Sequence, residues 1–174
     1  RGMVSPTLGV DRQARGGAPG GLVLASRPGI YENVLAFDFK SLYPSIMLTL
    51  NIDPFAYVEA RNRDDGDSIE APNGARFGRS RGILPEILEE LWRSREAARE
   101  AGDEIGAYSY KITMNAFYGV LASGSCRFAN PKIAGAVTEF GHHFLQWTRD
   151  LLQSEGYEIL YGDTDSLFVN SGVL

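Results

Sequence analysis

Residues 157–169, which read YEILYGDTDSLFV, restrict the fold more than any other stretch of the chain. Two apolar runs with strand composition flank a Gly-Asp-Thr-Asp turn, and this pattern predicts a β-hairpin with acidic residues at its tip. Asp163 and Asp165 lie two residues apart, so in extended backbone their carboxylates leave the same face. Such close like charges need relief from hydrogen bonds or a divalent cation. A solvent-facing Asx turn is the competing interpretation, and the hairpin alone does not decide between them.

The size and composition of the chain are those of an ordinary globular domain. With 174 residues, 44% hydrophobic and 22% charged, it can bury one core and carry one projecting subdomain. No apolar run is long enough to cross a bilayer and no secretory signal is visible, so we expect no membrane partner and a cytoplasmic location. The single Cys126 excludes an internal disulfide. The start without Met suggests a piece of a longer protein.

The net charge of −5 argues mildly against a nucleic-acid partner, because phosphate neutralisation needs clustered cations. Net charge does not describe distribution, however. Basic residues are concentrated in residues 61–81 and again at Arg93, Arg95 and Arg99.

The first half of the chain predicts few regular elements. Residues 1–21 are rich in Gly and Arg and indicate a linker or arm. Residues 22–24 predict a short strand, and residues 33–39 predict a mostly buried strand that ends near Asp38. A short helix follows to about Leu50, capped by Ser45 or a neighbour. Residues 51–81 are polar, and we predict a loop without regular structure there.

The second half predicts three helices. One begins near Gly82 and ends near Gly102, and a second runs back from about Ile105 to Leu121, so the two should form an antiparallel hairpin. The third begins at Asn130-Pro131 and ends at Gly156. Its apolar residues recur at intervals of three and four and are expected to cover one face of the sheet: Ile133, Val137, Phe140, Phe144, Trp147 and Leu151.

Three further groups of polar residues are candidates for a site. Asp38 ends a strand and opens into a turn and helix, where α/β folds place functional groups, although a turn or cap role is common for such an Asp. Arg95 and Arg99 share a face of one predicted helix, and Lys111 and Asn115 share a face of the next. Together they would suit a triphosphate. A solvated basic face is the alternative.

Three stretches in this order resemble the polymerase motifs of family B DNA polymerases: residues 38–46 (DFKSLYPSI), 111–119 (KITMNAFYG) and 161–166 (YGDTDS). The likeness is greatest to bacterial members of the family, through residues 19–21, 26–29, 115–121 and 126–128, and it covers nearly the whole chain. It implies an α+β fold with an antiparallel palm sheet packed on helices and an inserted helical hairpin, the fingers. Residues 22–81 and 123–174 would form the palm, and residues 82–122 the fingers.

The resemblance also implies the reaction and its residues. Asp38 and Asp165 would hold two Mg²⁺ ions, with Asp163 as a supporting acid, while a primer 3′-hydroxyl attacks a deoxynucleoside triphosphate on a DNA template. Tyr43 would pack on the sugar and exclude a 2′-hydroxyl, and Tyr118 and Gly119 would border the nascent base pair. The remaining nucleotide-binding positions implied by the resemblance are Phe39, Ser41, Leu42, Arg95, Arg99, Lys111 and Asn115.

The partners implied are primer-template DNA, deoxynucleoside triphosphates, and the exonuclease, N-terminal and thumb regions of a longer polymerase, on the same or on separate chains. Two other hypotheses remain. The chain could be a catalytically idle fragment that binds only nucleotide or partner proteins. It could also be another palm-type nucleotidyltransferase or a cyclase, although the helical hairpin argues against this because the metal chemistry alone does not require it.

Overall fold

The computed structural model describes residues 19–62, 66–124 and 126–172, so most of the predicted arm at residues 1–21 lies outside it. The described residues form five strands and five helices, which confirms the α+β class. In chain order these elements are β1 (Val34–Asp38), α1 (Leu42–Thr49), α2 (Pro54–Asn62), β2 (Ser68–Glu70), β3 (Arg76–Gly78), α3 (Ile83–Glu100), α4 (Glu104–Ala122), α5 (Pro131–Ser154), β4 (Glu158–Asp163) and β5 (Ser166–Asn170).

The main sheet is antiparallel, with the strand order β1-β5-β4. The predicted hairpin at residues 157–169 is present as β4 and β5, whose register closes at Asp163 and Ser166. On β5, Leu167 and Val169 point to one face and join a small core with Leu145 of α5. The strand predicted at residues 22–24 is wrong as a regular strand, because only Val23 forms an isolated bridge to β4.

β1 is not the mostly buried strand that its apolar sequence predicts. All five of its residues are exposed, and Leu35 and Phe37 remain 46% and 48% accessible. Its register places these two side chains opposite Val169 and Leu167, on the face of the sheet that α5 packs against. β1 is the outermost strand, beyond the reach of α5, and an apolar run cannot reveal whether a layer covers it.

The prediction of a structureless loop at residues 51–81 is also wrong. Helix α2 buries only the small side chains of Ala56 and Ala60, which leave no periodic signal of large apolar residues. β2 and β3 form a two-stranded sheet, and Phe77 of β3 is fully buried against the main core. Polar residues on the outer surface dominate the composition of this region, so its few buried positions were not recognised.

The two helices of the predicted hairpin, α3 and α4, lie within about two residues of their predicted bounds. The base of α3 is fixed by two buried polar side chains. The Asp53 carboxylate accepts hydrogen bonds from the backbone N of Phe55 at 2.6 Å and of Leu84 at 2.8 Å. Asn51 accepts a hydrogen bond from the backbone N of Gly82 at 2.8 Å. The first turn of α3 is therefore tied to the chain that follows α1.

Helix α5 buries part of the predicted set, with Phe140 and Phe144 half-buried against the main core, and it buries further residues that were not predicted. Ile133 and Val137 are buried as expected, but Trp147 and Leu151 are 58% and 45% accessible. The buried face includes Ala134, Gly135, Ala136, Thr138, Gly141 and Leu145. Small residues allow neighbouring elements to approach closely, whereas the sequence pattern gives most weight to large apolar side chains. None of the helices in the described ranges is both long and apolar enough to span a membrane.

Candidate functional site

The tip of the β4–β5 hairpin holds two acids in a strained turn. Thr164 lies between Asp163 and Asp165 and has a φ of 54°, an unusual value for a β-branched residue. The backbone N of Thr164 donates to the carbonyl of Leu22 at 2.8 Å, so the preceding segment supports the turn. Gly21 lies so close that an added Cβ would be 2.2 Å from Thr164 Oγ1. Backbone strain that is supported in this way is typical of functional sites.

A second strained turn follows Asp38. The backbone N of Phe39 donates to the carbonyl of Asp165 at 2.8 Å, which joins the end of β1 to the hairpin tip. Ser41 is left-handed, with φ 51° and ψ 56°, and precedes α1 without capping it through its side chain. The predicted cap residue Ser45 lies inside α1, where its hydroxyl donates to the carbonyl of Lys40 at 3.0 Å. The cap prediction at Ser45 is therefore wrong.

These two turns and the helical hairpin enclose one cavity of about 410 Å³. The two acids Asp38 and Asp165 line it together, although they are far apart in the sequence. Cationic and amide side chains come from α3 and α4. The lining residues are Asp38, Phe39, Lys40, Ser41, Leu42, Tyr43, Pro44, Arg95, Lys111, Asn115, Thr164 and Asp165.

The electrostatics of the cavity are set by acids that face cations. Burial raises the pKa of Asp165 above its usual value, and the negative charges of Asp38 and Asp163 raise it further. Lys111 acts in the opposite direction and favours the ionised carboxylate. The ionised carboxylate of Asp165 is destabilised by these two negative charges, and a cation bound between the acids would stabilise it.

Asp163 occupies a different position from the other two acids. Its carboxylate accepts hydrogen bonds from the Thr164 hydroxyl at 2.8 Å and from the Tyr161 hydroxyl at 3.3 Å, and it is not among the residues that line the cavity. Across residues 19–62, 66–124 and 126–172, no three acidic, histidine or cysteine side chains are arranged as a ready metal site. The cavity therefore offers two carboxylates, with the third acid bonded within its own turn.

An aromatic pair borders the cavity beside α1. The rings of Tyr43 and Tyr118 have centroids 4.6 Å apart and are tilted by 52°. Gly141 of α5 makes room for Tyr43, since an added Cβ would lie 3.2 Å from its ring. Burial is the main cause that raises the pKa of Tyr43 to about 12. Of the predicted residues, Tyr118 thus lies behind Tyr43, and Gly119 is exposed without lining the cavity.

Arg99 is the other predicted residue that does not line the cavity. It lies one turn beyond Arg95 on α3, and its guanidinium is 3.9 Å from Glu96. Arg95 itself donates to the Ser41 hydroxyl at 3.1 Å and so reaches the turn after Asp38. The four polar residues predicted to act together are therefore divided, with Arg95, Lys111 and Asn115 at the cavity and Arg99 outside it.

Sequence reasoning did not identify several residues of the site. Lys40, Pro44 and Thr164 line the cavity, and each lies inside a motif whose other members were predicted. Their position between predicted residues was an available signal. Gly21 and Gly141 act only through the close approach of another chain segment, and the sequence contains no local signal for such contacts.

Sequence comparison finds one matching family and several related proteins. The family described as DNA polymerase family B matches residues 1–174. DNA polymerase II of Escherichia coli strain K12 is 45% identical over 170 residues, which are 97% of this chain and 21% of that protein. A DNA polymerase of Archaeoglobus fulgidus is 34% identical over 86% of this chain and 20% of its own length. The chain thus spans about a fifth of the length of these relatives.

A solved structure is similar over nearly the whole chain. The family B DNA polymerase of the archaeon Pyrobaculum calidifontis superposes with a TM-score of 0.75 at 32% identity. The match covers 97% of this chain and 24% of that one. The sequence motifs and the fold therefore point to the same family.

Proposed function

Because the chain belongs to DNA polymerase family B, we propose that it carries the nucleotide-transfer centre of a template-directed DNA polymerase. The reaction would add a deoxynucleotide to the 3′-hydroxyl of a primer and release pyrophosphate. The observation that carries this proposal is the cavity, in which Asp38 and Asp165 face Arg95, Lys111 and Asn115. Acids for a metal and cations for a triphosphate are the two groups that phosphoryl transfer requires.

The two cavity carboxylates fit Mg²⁺. This ion prefers oxygen ligands, and it is commonly held by one or two carboxylates together with water and substrate phosphates. Asp38 and Asp165 would hold two such ions, and Asp163 would support the turn from behind. When bound, the ions supply activation of the primer hydroxyl and stabilisation of the leaving pyrophosphate. The raised pKa of Asp165 supports the choice, since a bound cation would offset the repulsion from the neighbouring acids.

The remaining cavity residues would orient the nucleotide. Arg95 can form a planar fork with phosphate oxygens, and Lys111 supplies a point charge opposite the acids. Asn115 lies one turn from Lys111 on α4 and would contact the same ligand. The first turn of α1, at Leu42 and Tyr43, adds the positive end of a helix dipole. Arg99 would act from the edge of the site.

Tyr43 would select deoxyribose by steric exclusion. Its ring is held between Tyr118 on one side and Gly141 on the other, so it cannot easily turn away from the cavity. A ring fixed in this way would leave no room for a 2′-hydroxyl, and its energetic penalty would fall on ribonucleotides only. Tyr118 and Gly119 would border the base pair on the far side of this ring.

In this proposal, the main sheet with α1, α2 and α5 is the palm, and α3 with α4 forms the fingers. The palm would be built from residues 22–81 and 123–174, and the fingers from residues 82–122. The chain spans about a fifth of the length of its relatives. The exonuclease, N-terminal and thumb regions of a longer polymerase would therefore help this chain to bind primer-template DNA.

The substitution Asp165→Asn tests the function. With the remaining polymerase regions supplied, we expect Mg²⁺-dependent incorporation on a primed template to fall at least roughly a hundredfold, because one carboxylate of the pair is lost. Asp150→Asn on α5 is the matched control, since Asp150 contacts only Arg149 at the surface among the described ion pairs. Equal incorporation by the Asp165→Asn chain, or none by the unmodified chain in this setting, would refute the proposal.

The small share of the relatives that the chain spans favours a second candidate, a fragment that binds nucleotide or partner proteins without catalysis. Separate titrations with labelled primer-template DNA and with a deoxynucleoside triphosphate distinguish the two. Nucleotide binding without measurable duplex binding favours the idle fragment, whereas binding of both favours the polymerase centre.

A further inference from the structure

The turn that follows Asp38 is fastened to α3 by Lys40. Its ammonium group donates to Glu96 Oε1 at 3.1 Å and lies 5.3 Å from the centroid of the Trp92 ring. Trp92 and Glu96 are four residues apart on α3, so they present one face to the same cation. We call Lys40, Trp92 and Glu96 the α3 latch.

The next residue of the turn contacts the same helix. Arg95 donates to the hydroxyl of Ser41 at 3.1 Å, and this hydroxyl makes no capping bond to α1. Two consecutive residues, Lys40 and Ser41, thus meet two consecutive residues of α3. The position of Arg95 relative to Asp38 is therefore set in part by the latch beside it.

Glu96 is an unusual residue to find beside a site for an anion. It is surrounded by Lys40, Arg95 and Arg99, and the hydrogen bond from Lys40 is the largest cause that lowers its pKa. By charge alone, a carboxylate at this place would oppose a triphosphate. Its contacts with Lys40 and Arg99 instead suggest that it holds cations in place.

We propose that Lys40 and Glu96 are positioning residues for the deoxynucleoside triphosphate, because they hold the Asp38 turn against α3, where both elements line the same cavity. This inference rests on the proposed function. The latch is half-exposed, with side-chain accessibilities of 55% for Lys40 and 38% for Glu96. Because exposed ion pairs contribute little to the free energy of unfolding, we expect the latch to act mainly on the geometry of the cavity.

The sign of the effect at Glu96 separates positioning from simple electrostatics. If Glu96 only adds negative charge, its reversal in Glu96→Lys should tighten triphosphate binding. If it positions the turn, the same change should weaken binding, because Lys40 and the new Lys repel each other. Lys40→Glu weakens binding under either view, since Lys40 also lines the cavity.

The experiment measures binding of a deoxynucleoside triphosphate with Mg²⁺ to the 174-residue chain. Trp147→Phe in every variant leaves Trp92 as the only tryptophan, so its fluorescence reports directly on the latch. We expect Glu96→Lys to weaken binding roughly threefold to fivefold, the size that an exposed ion pair supports. The double variant Lys40→Glu with Glu96→Lys restores the ion pair in reverse and should recover part of the binding that Lys40→Glu alone loses; the rest stays lost because Lys40 also lines the cavity. Glu96→Gln, which keeps the acceptor oxygen, should show a smaller loss.

Glu89→Lys is the matched control. Glu89 lies on α3 at 39% side-chain accessibility and pairs with Arg81 and Arg93, away from the cavity lining. Tighter or unchanged binding by Glu96→Lys, no recovery in the double variant, or an equal loss in Glu89→Lys would overturn the inference. Absence of nucleotide binding by the unmodified chain would instead count against the proposed function.

Discussion

The two hairpins that meet at the cavity are held in different ways. The β4–β5 hairpin is fixed by backbone hydrogen bonds on both sides, from Phe39 to Asp165 and from Thr164 to Leu22, each 2.8 Å long. The α3–α4 hairpin reaches the same cavity through long side chains, namely Arg95 on Ser41 and Glu96 on Lys40. Backbone bonds permit little adjustment, whereas half-exposed side chains exchange partners readily. The acids are thus held by backbone contacts, whereas α3 is held at the cavity by contacts between side chains.

After Asp165→Asn, the largest effect is expected at the β4–β5 hairpin. Gly21→Ala would place a Cβ 2.2 Å from Thr164 Oγ1, and the short branched side chain of Thr164 cannot move aside. We expect the free energy of unfolding to fall by about 1–3 kcal/mol, as for other overpacked sites, with loss of nucleotide binding as the acid turn shifts. Chemical denaturation and nucleotide titration measure the two effects.

The neighbouring glycine supplies the control for this change. A Cβ at Gly20 meets nothing within 4 Å, so Gly20→Ala should leave both quantities close to those of the unmodified chain. If Gly21→Ala and Gly20→Ala have the same free energy of unfolding and the same nucleotide affinity, the close contact between Gly21 and Thr164 does not stabilise the acid turn.

A smaller effect is expected at the far end of the helical hairpin. Gly102 joins α3 to α4 with a φ of 73°, and a Cβ there would meet no neighbouring atom. Gly102→Ala should therefore cost only backbone strain, about 1 kcal/mol of unfolding free energy, and Gly102→Asn should cost less because Asn tolerates this conformation. Nucleotide affinity should be unchanged. A larger loss of affinity in Gly102→Ala than in Gly21→Ala would reverse the comparison between the two hairpins.

The smallest effect concerns the pH dependence of stability at the aromatic pair. Burial raises the pKa of Tyr43 from 10.0 to about 12, so the folded chain retains a proton that the unfolded chain releases. The free energy of unfolding should consequently fall as the pH rises from 10.0 towards about 12. Tyr43→Phe should reduce this slope. Denaturation at a series of alkaline pH values measures how the free energy of unfolding depends on pH. The same dependence in both chains would contradict a raised pKa of Tyr43.

Long helices were the most predictable part of the fold. The bounds of α3, α4 and α5 were recognised from apolar spacing, glycines and prolines, because these signals are local. The burial of each residue was less predictable. Trp147 and Leu151 carry the period of α5 but remain exposed, while Gly141 and Ala134 are buried. Periodicity identifies a helix, but it does not show which neighbours cover it.

The residues of the candidate site were also more predictable than their arrangement in space. The acids Asp163 and Asp165 were recognised from one hairpin, Asp38 from the end of a strand, and the polar residues of the helical hairpin from shared helix faces. The resemblance to family B polymerases then predicted that they serve one reaction. Nothing in the spacing of the sequence alone brings Asp38 to Asp165 or separates Arg99 from Arg95. Those relations arise from the sheet register and from the contact of α3 with the turn that follows Asp38.

By itself, the sequence determined the acid hairpin, the long helices and the family, because each rests on short-range order along the chain. Only the tertiary structure decided that β1 stays exposed, that residues 51–81 form a helix and a small sheet, and that Lys40 meets Glu96. The physical reason is that burial and pairing depend on residues far away in sequence. A local sequence pattern indicates which residues of an element are apolar, but the elements packed against it determine which of those residues are buried.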